Sequence, residues 1–214
     1  MKVSLNIVKQ LVGIELPPVD ELVTRINEQL GGVEEVIDIG KKYSDAVVVR
    51  VVSAEKHPNA DKLSVCLVDD GRVVEDVERN EDGLVTVVCG APNVHADMWA
   101  IWLPPNSTVP ASYDDAEPFV LGTRELRGVK SNGMLAAGDE LAINNDHDGI
   151  IELTDADLPP ELEGRGLAVG QDFAELFGLD DTIIDIENKM FELRELIGEQ
   201  SYDLNSIESK GQTR

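Results

Sequence analysis

Five short runs of β-branched and small apolar residues, crowded into residues 46–137, constrain the fold of this chain more than anything else. They read Ala46-Val47-Val48-Val49-Arg50-Val51-Val52-Ser53-Ala54, Leu63-Ser64-Val65-Cys66-Leu67-Val68, Leu84-Val85-Thr86-Val87-Val88-Cys89, Met98-Trp99-Ala100-Ile101-Trp102-Leu103 and Met134-Leu135-Ala136-Ala137. Each is too short for a typical buried helix and suits a pleated strand. Turn residues punctuate them: Pro104-Pro105 ends the fourth run, and Ser131-Asn132-Gly133 leads into the fifth. Short strands at this density predict a small antiparallel barrel.

The flanks have a different character. After Pro17-Pro18, the residues Leu22, Val23, Ile26 and Leu30 recur at helical spacing, with Asp20 as N-cap and Gly31-Gly32 as terminator. A strand is expected over residues 33–39. Near the other end, Asp172-Phe173-Ala174-Glu175-Leu176-Phe177 reads as a short helix closed by Gly178, and Thr182-Ile183-Ile184-Asp185-Ile186-Glu187 as a strand. Helix plus strand is too little to fold alone. The two flanks are therefore expected to be halves of one α+β domain, with the barrel inserted between them. Two acidic stretches, 69–83 and 109–118, read as solvated loops, and residues 155–166 as a proline- and acid-rich loop.

Charge bears on function. Aspartate and glutamate total 42 against 18 lysines and arginines, a formal net of −24. Such a chain repels phosphate at long range and gains little from counterion release, which argues against non-specific nucleic-acid binding. Any RNA contact must come from a local basic patch, from shape or from base stacking. No run of about 18 apolar residues predicts a membrane span, and the polar-broken start Met1-Lys2-Val3-Ser4-Leu5-Asn6 lacks a signal peptide's apolar stretch. A cytoplasmic location is expected. Cys66 and Cys89 sit inside apolar runs and read as buried thiols. With His57, His95 and His147 scattered and no C-x-x-C, no metal site is expected.

No catalytic signature is present. The phosphate-binding loop is absent, since Gly128-Val129-Lys130-Ser131 only superficially resembles its end, and neither H-E-x-x-H nor G-x-S-x-G occurs. Four other segments stand out, in order. They are His57-Pro58-Asn59-Ala60-Asp61-Lys62-Leu63, then Val88-Cys89-Gly90-Ala91-Pro92-Asn93, then Leu121-Gly122-Thr123-Arg124-Glu125-Leu126-Arg127-Gly128-Val129-Lys130, then Ser131-Asn132-Gly133-Met134-Leu135. Arg124, Arg127 and Lys130 form the densest basic cluster of the chain. Guanidinium groups grip phosphate bidentately and lysine adds a point charge. On the residues alone, a solvated loop is the favoured reading of three such charges. Trp99 and Trp102 are three apart and should face opposite sides of a strand, so that one is free to stack on a base.

Taken together, the four segments resemble the tRNA-binding oligonucleotide-barrel family. The flanks narrow this to the amino-terminal part of the bacterial phenylalanyl-tRNA synthetase β subunits. Gly31-Gly32-Val33-Glu34-Glu35-Val36 looks like its opening region, Asp146-His147-Asp148-Gly149-Ile150-Ile151-Glu152-Leu153 like the exit from its barrel, and Asp185-Ile186-Glu187-Asn188-Lys189-Met190-Phe191 like the return into its split domain. The resemblance covers roughly residues 1–191. Residues 192–214 depart from the family's pattern, as a truncated or rearranged subunit would.

The resemblance implies a mixed β and α+β fold, with a five-stranded OB-fold β-barrel inserted into a small split α+β domain. The implied bounds are 1–43 for the first half, 44–153 for the OB-fold, 154–191 for the second half and 192–214 for a divergent, partly disordered tail. It implies a non-catalytic tRNA-binding module, with Lys62, Arg124, Arg127 and Lys130 meeting phosphates, Asn93 and Ser131 offering hydrogen bonds, and Met134 lining the surface. The implied partners are tRNA and the synthetase α subunit, with neither DNA nor membrane. No cofactor is expected on this chain, ATP and magnesium belonging to the complete synthetase. An assembly module docking against the α subunit, or a free-standing tRNA-binding protein, is the alternative. An enzyme in its own right finds no support in the residues.

Overall fold

The structure is a computed structural model that describes residues 1–158, 164 and 166–187. The expectations for residues 159–163, 165, 188–191 and 192–214, the tail among them, lie outside the described residues. The chain is mostly β with few helices and divides into two compact units, one made of Met1–Ile37 with the stretch beginning at Thr182, the other of Asp38–Asp181.

In the first unit, strand β1 (Lys2–Ser4) runs into helix α1 (Leu5–Val12), followed by α2 (Val19–Gln29) and β2 (Val33–Asp38). Strand β11 (Thr182–Ile186) lies between β1 and β2 in a three-stranded sheet and pairs antiparallel with β1. Leu5, Ile26, Ile184 and Ile186 form its core. The Ser4 hydroxyl caps α1 by accepting from the Ile7 N–H, and Gly13 ends it at φ 63°. The expected cap of α2 is corrected: Pro18, with φ already near the helical value, takes the N-cap, and Asp20 falls in the first turn, where its charge favours the helix dipole.

The second unit is built on β3 (Val47–Lys56), β4 (Ser64–Asp69), β5 (Val85–Cys89), β6 (Trp99–Leu103), β7 (Thr123–Leu126), β8 (Val129–Asn132), β9 (Met134–Leu135), β10 (Glu152–Leu153) and α3 (Phe173–Leu176). Its main sheet runs β10-β6-β3-β4-β5, with β9 also on β6, and β7 and β8 form a separate hairpin. All the ladders are antiparallel.

Both faces of β6 and of the start of β3, Val47-Val48-Val49, are covered, which explains their unbroken apolar spelling. Val48, Ile101 and Leu103 enter one core with Tyr43, Leu141, Phe173 and Leu176, while Val49, Val51, Ala100 and Trp102 enter a second with Cys66, Val68, Val85, Val87 and Met98. Each fully buried valine or leucine contributes about 1.5–3 kcal/mol. Trp102 is fully buried and Trp99 half-buried, on opposite faces as the spacing requires. The first core extends over α3 because the backbones of Gln171 and Gly170 hydrogen-bond Val48, and Phe173 bonds Ala46.

Two expectations are corrected here. Among the described residues, no backbone ladder joins β5 back to the far side of the sheet, so the expected five-stranded barrel is not closed by its ladders. The acidic stretch 69–83 is no mere solvated extension. Asp70 is completely buried and takes both arms of the Arg79 guanidinium, at 2.6 and 2.9 Å. Arg79 also donates to the carbonyls of Gly83 and Val74.

Candidate nucleic-acid interface

The site is assembled from the two turns that follow β3 and β7. Residues 121–130, read from sequence as a loop, are largely a hairpin whose turn is Arg127-Gly128, with φ of 48° and 90°. Positive φ at both positions is what a two-residue turn needs to match the twist of its strands. For arginine this conformation is strained by roughly 1–2 kcal/mol. The turn after β3 offsets that strain. Asn59 Nδ2 donates to the Arg127 carbonyl at 3.1 Å, and Arg127 Nη1 donates to the Asn59 carbonyl at 3.2 Å. Beside them His57, only 3% exposed, uses both ring nitrogens. Nδ1 accepts from the Asn59 N–H at 3.0 Å, and Nε2 lies 3.0 Å from the Leu126 carbonyl. A carbonyl only accepts, so the ring proton sits on Nε2.

The other two segments meet on the far side of the hairpin. The Val88 N–H donates to Ser131 Oγ at 2.9 Å, and Asn132 Nδ2 donates to the Thr86 carbonyl at 3.3 Å. These side chains bridge β5 to β8 where no ladder does. Asn132 is held in turn by Thr123 Oγ1 and, through its carbonyl, by the Trp102 indole N–H. Gly133 follows at φ 74°, and a Cβ there would lie 2.1 Å from the Leu103 carbonyl oxygen, so only glycine fits. Asn93 pairs with the backbone of Ile150, donating at 2.8 Å and accepting at 3.0 Å.

The structure therefore sorts the expected site residues. Lys62, Arg124, Arg127 and Lys130 are exposed; Ser131 is buried, Met134 half-buried against the first core, and the Asn93 amide is spent on Ile150. Ser131 and Asn93 thus work within the protein, the first across the β5–β8 gap and the second between loops. The basic cluster is also divided. Arg124 stands opposite Ser131 and Lys130 opposite Glu125, so their side chains leave alternate faces of the hairpin. Arg124 lies over the exposed Phe119 ring, 5.7 Å from its centroid, Lys130 pairs with Glu78, and Arg127 marks the tip beside the turn that bears Lys62. A groove of about 300 Å³ runs between the hairpin and the β4–β5 loop, lined by Glu78, Asn80, Thr86, Val129, Lys130 and Asn132 among others.

The sequence marks Asn59 only as a turn residue, and nothing in it assigns a role to His57, Glu78, Asp70, Arg79 or Phe119. The turn-forming Pro58-Asn59 was the one available signal for His57 and Asn59. Nothing marks Asp70 among 42 acidic residues. Burial pushes its carboxyl up, but hydrogen bonds from Arg79, Val74 and Arg72 and the Arg79 charge outweigh that and hold it below the usual carboxylate range. The hydrogen bond to Asp70 raises Arg79 correspondingly, so the pair stays charged. Cys66 and Cys89 are free and buried, and burial, with Cys89 adjacent, pushes the Cys66 thiol up to about 12. No helix of the described residues is long and apolar enough to cross a membrane.

Residues 46–160, more than half the chain, match the family described as "Putative tRNA binding domain". The chain belongs to this tRNA-binding family. All four converging segments fall within the matched stretch. The phenylalanine–tRNA ligase β subunit of Nitrobacter winogradskyi is 37% identical over 87% of this chain and 21% of its own length. That of Synechocystis sp. is 39% identical over 87% of this chain and 20% of its own. The chain is thus homologous to one region of these subunits and spans about a fifth of their length. Among solved structures, a MetRS related protein from Pyrococcus horikoshii aligns at 21% identity with a TM-score of 0.34, covering 73% of this chain and 96% of that one.

Proposed function

We propose that this chain is the tRNA-binding module of a phenylalanine–tRNA ligase β subunit, contributing RNA binding to the aminoacylation of tRNA(Phe) and making or breaking no bond itself. Its second unit is read as an OB fold, its sheet open by its ladders, carried as an insertion in a split α+β domain. The observation that carries the reading is the clasp between His57-Asn59 and Leu126-Arg127, which ties the turn that bears Lys62 to the hairpin tip at Arg127 within the tRNA-binding family's own stretch. Fixed, exposed cations read the spacing of RNA phosphates, which is how structured RNA is recognised by shape. ATP and magnesium belong to the complete synthetase in this reading, and the compartment is the cytoplasm.

A salt titration of tRNA binding tests it. Affinity should fall steeply with log salt, and Arg127→Glu should weaken binding and flatten the slope by about one ion equivalent while leaving the fold intact. No binding at low salt removes the reading. One observation favours a second role in assembly: α1 leaves Ile7 and Leu11 57% and 80% exposed, an apolar face suited to the synthetase α subunit.

A further inference from the structure

We infer that Glu78 is a specificity-determining residue of the RNA interface: its carboxylate occupies Lys130 in the free protein and yields it only to a polyanion already held by the rest of the face. The inference rests on the tRNA-binding reading above.

The Lys130 ammonium is paired with the Glu78 carboxylate on the wall of the groove beside the hairpin. Both side chains are more than half exposed, at 54% and 63%, so solvent and an incoming phosphate reach the pair. Glu78 itself is backed by a fixed frame. The next residue, Arg79, is locked by the buried Asp70 carboxylate and by two carbonyls, and Asn80 Oδ1 accepts from the N–H groups of Asp82 and Leu84. The loop backbone is therefore tied down beside the pair. Glu78 releases Lys130 by turning its own side chain, and the freed carboxylate then stays close to the phosphate that replaced it.

Two consequences follow from elementary electrostatics. An exposed ion pair is weak, so displacement is modest in cost but never free. A ligand that meets Lys130 alone must break the pair and then face a like charge. A ligand already gripped through Lys62 and Arg127 presents its phosphate at high effective concentration and meets that cost out of binding already made. The liberated carboxylate also takes up a cation from solution, which cancels one of the counterions released from the RNA. A chain with a net charge of −24 thereby keeps one of its few binding cations masked from indiscriminate polyanions.

The experiment compares the full chain with Glu78→Gln, with tRNA(Phe) and poly(U) as ligands, across a salt series. Glu78→Gln should bind poly(U) about two- to five-fold more tightly at low salt. It should gain less for tRNA and show a steeper log–log salt slope by just under one unit. In a Lys130→Met background the same substitution should change neither slope nor selectivity. Equal affinity and slope for wild type and Glu78→Gln, or an equal gain in the Lys130→Met background, overturns the inference while leaving the tRNA-binding reading standing. Absence of tRNA binding by both proteins at the lowest salt overturns both.

Discussion

The Nε2–H of His57 meets the carbonyl oxygen of Leu126 at 3.0 Å, joining two turns 69 residues apart in the chain. Because Nδ1 of the same ring accepts from Asn59, one buried imidazole fixes the turn it belongs to and the hairpin it touches. His57→Ala removes both bonds, taking the ring donor from the Leu126 carbonyl and the ring acceptor from the Asn59 N–H. A loss of about 1–3 kcal/mol in urea unfolding is expected, together with weaker tRNA binding. His57→Gln, which keeps a donor, should recover part of both. Full stability in the alanine variant would show that the ring is not the clasp.

The buried pair of Asp70 and Arg79 should make the second unit acid-sensitive. The Asp70 carboxyl titrates below its ordinary 3.8 in the folded protein. Its contribution is therefore fully present above that value and is lost as pH falls through the folded one. Asp70→Asn leaves the Arg79 fork without its counter-charge and should destabilise by about 3 kcal/mol at neutral pH. Its Tm should then vary less with pH below the ordinary carboxylate value than that of the wild type. Parallel Tm curves would refute the assignment.

Ser131 offers a direct test of whether a buried hydroxyl holds the sheet or meets RNA. Ser131→Ala strips the Val88 N–H of its acceptor and should lower stability by about 1–3 kcal/mol. Amide hydrogen exchange at Val88 should accelerate sharply. If stability and exchange stay as in the wild type while tRNA affinity drops, the hydroxyl serves the ligand instead.

Neither thiol should react in the native state. Cys66, pushed up to about 12 by burial, and the buried Cys89 present almost no thiolate at pH 8. Iodoacetamide followed by mass spectrometry should leave both unmodified until denaturant is added; prompt labelling of the native chain would contradict the packing of the second core.

What the sequence revealed and what it hid follow the same rule. β3 to β6 were legible because their valines, isoleucines and tryptophans are buried, and burial is what writes β-branched runs into a sequence. The β7–β8 hairpin was read as loop because Thr123-Arg124-Glu125-Leu126 is exposed at every position, leaving no alternation to detect. That error carried the site with it. Three cations spaced along a loop look like one patch, whereas on a two-stranded hairpin Arg124 and Lys130 part to opposite faces. Helix α1 escaped notice although its apolar residues recur at helical spacing, because it is only 8 residues long and Leu5 alone among its side chains is buried. The motif His57-Pro58-Asn59 was visible, but its partner lay at the hairpin tip, a distance no local pattern spans.

The bridging of β5 to β8 through Ser131 and Asn132 has a kinetic side. Strands zipped by a ladder separate only when several main-chain bonds let go in concert. Here the side chains of Ser131 and Asn132 take the place of a ladder, so opening the seam at Val88 and Thr86 is expected to cost less than unzipping paired strands. Thr86 and Asn132 also line the groove beside Lys130, so an opening of the seam would widen the groove at its wall.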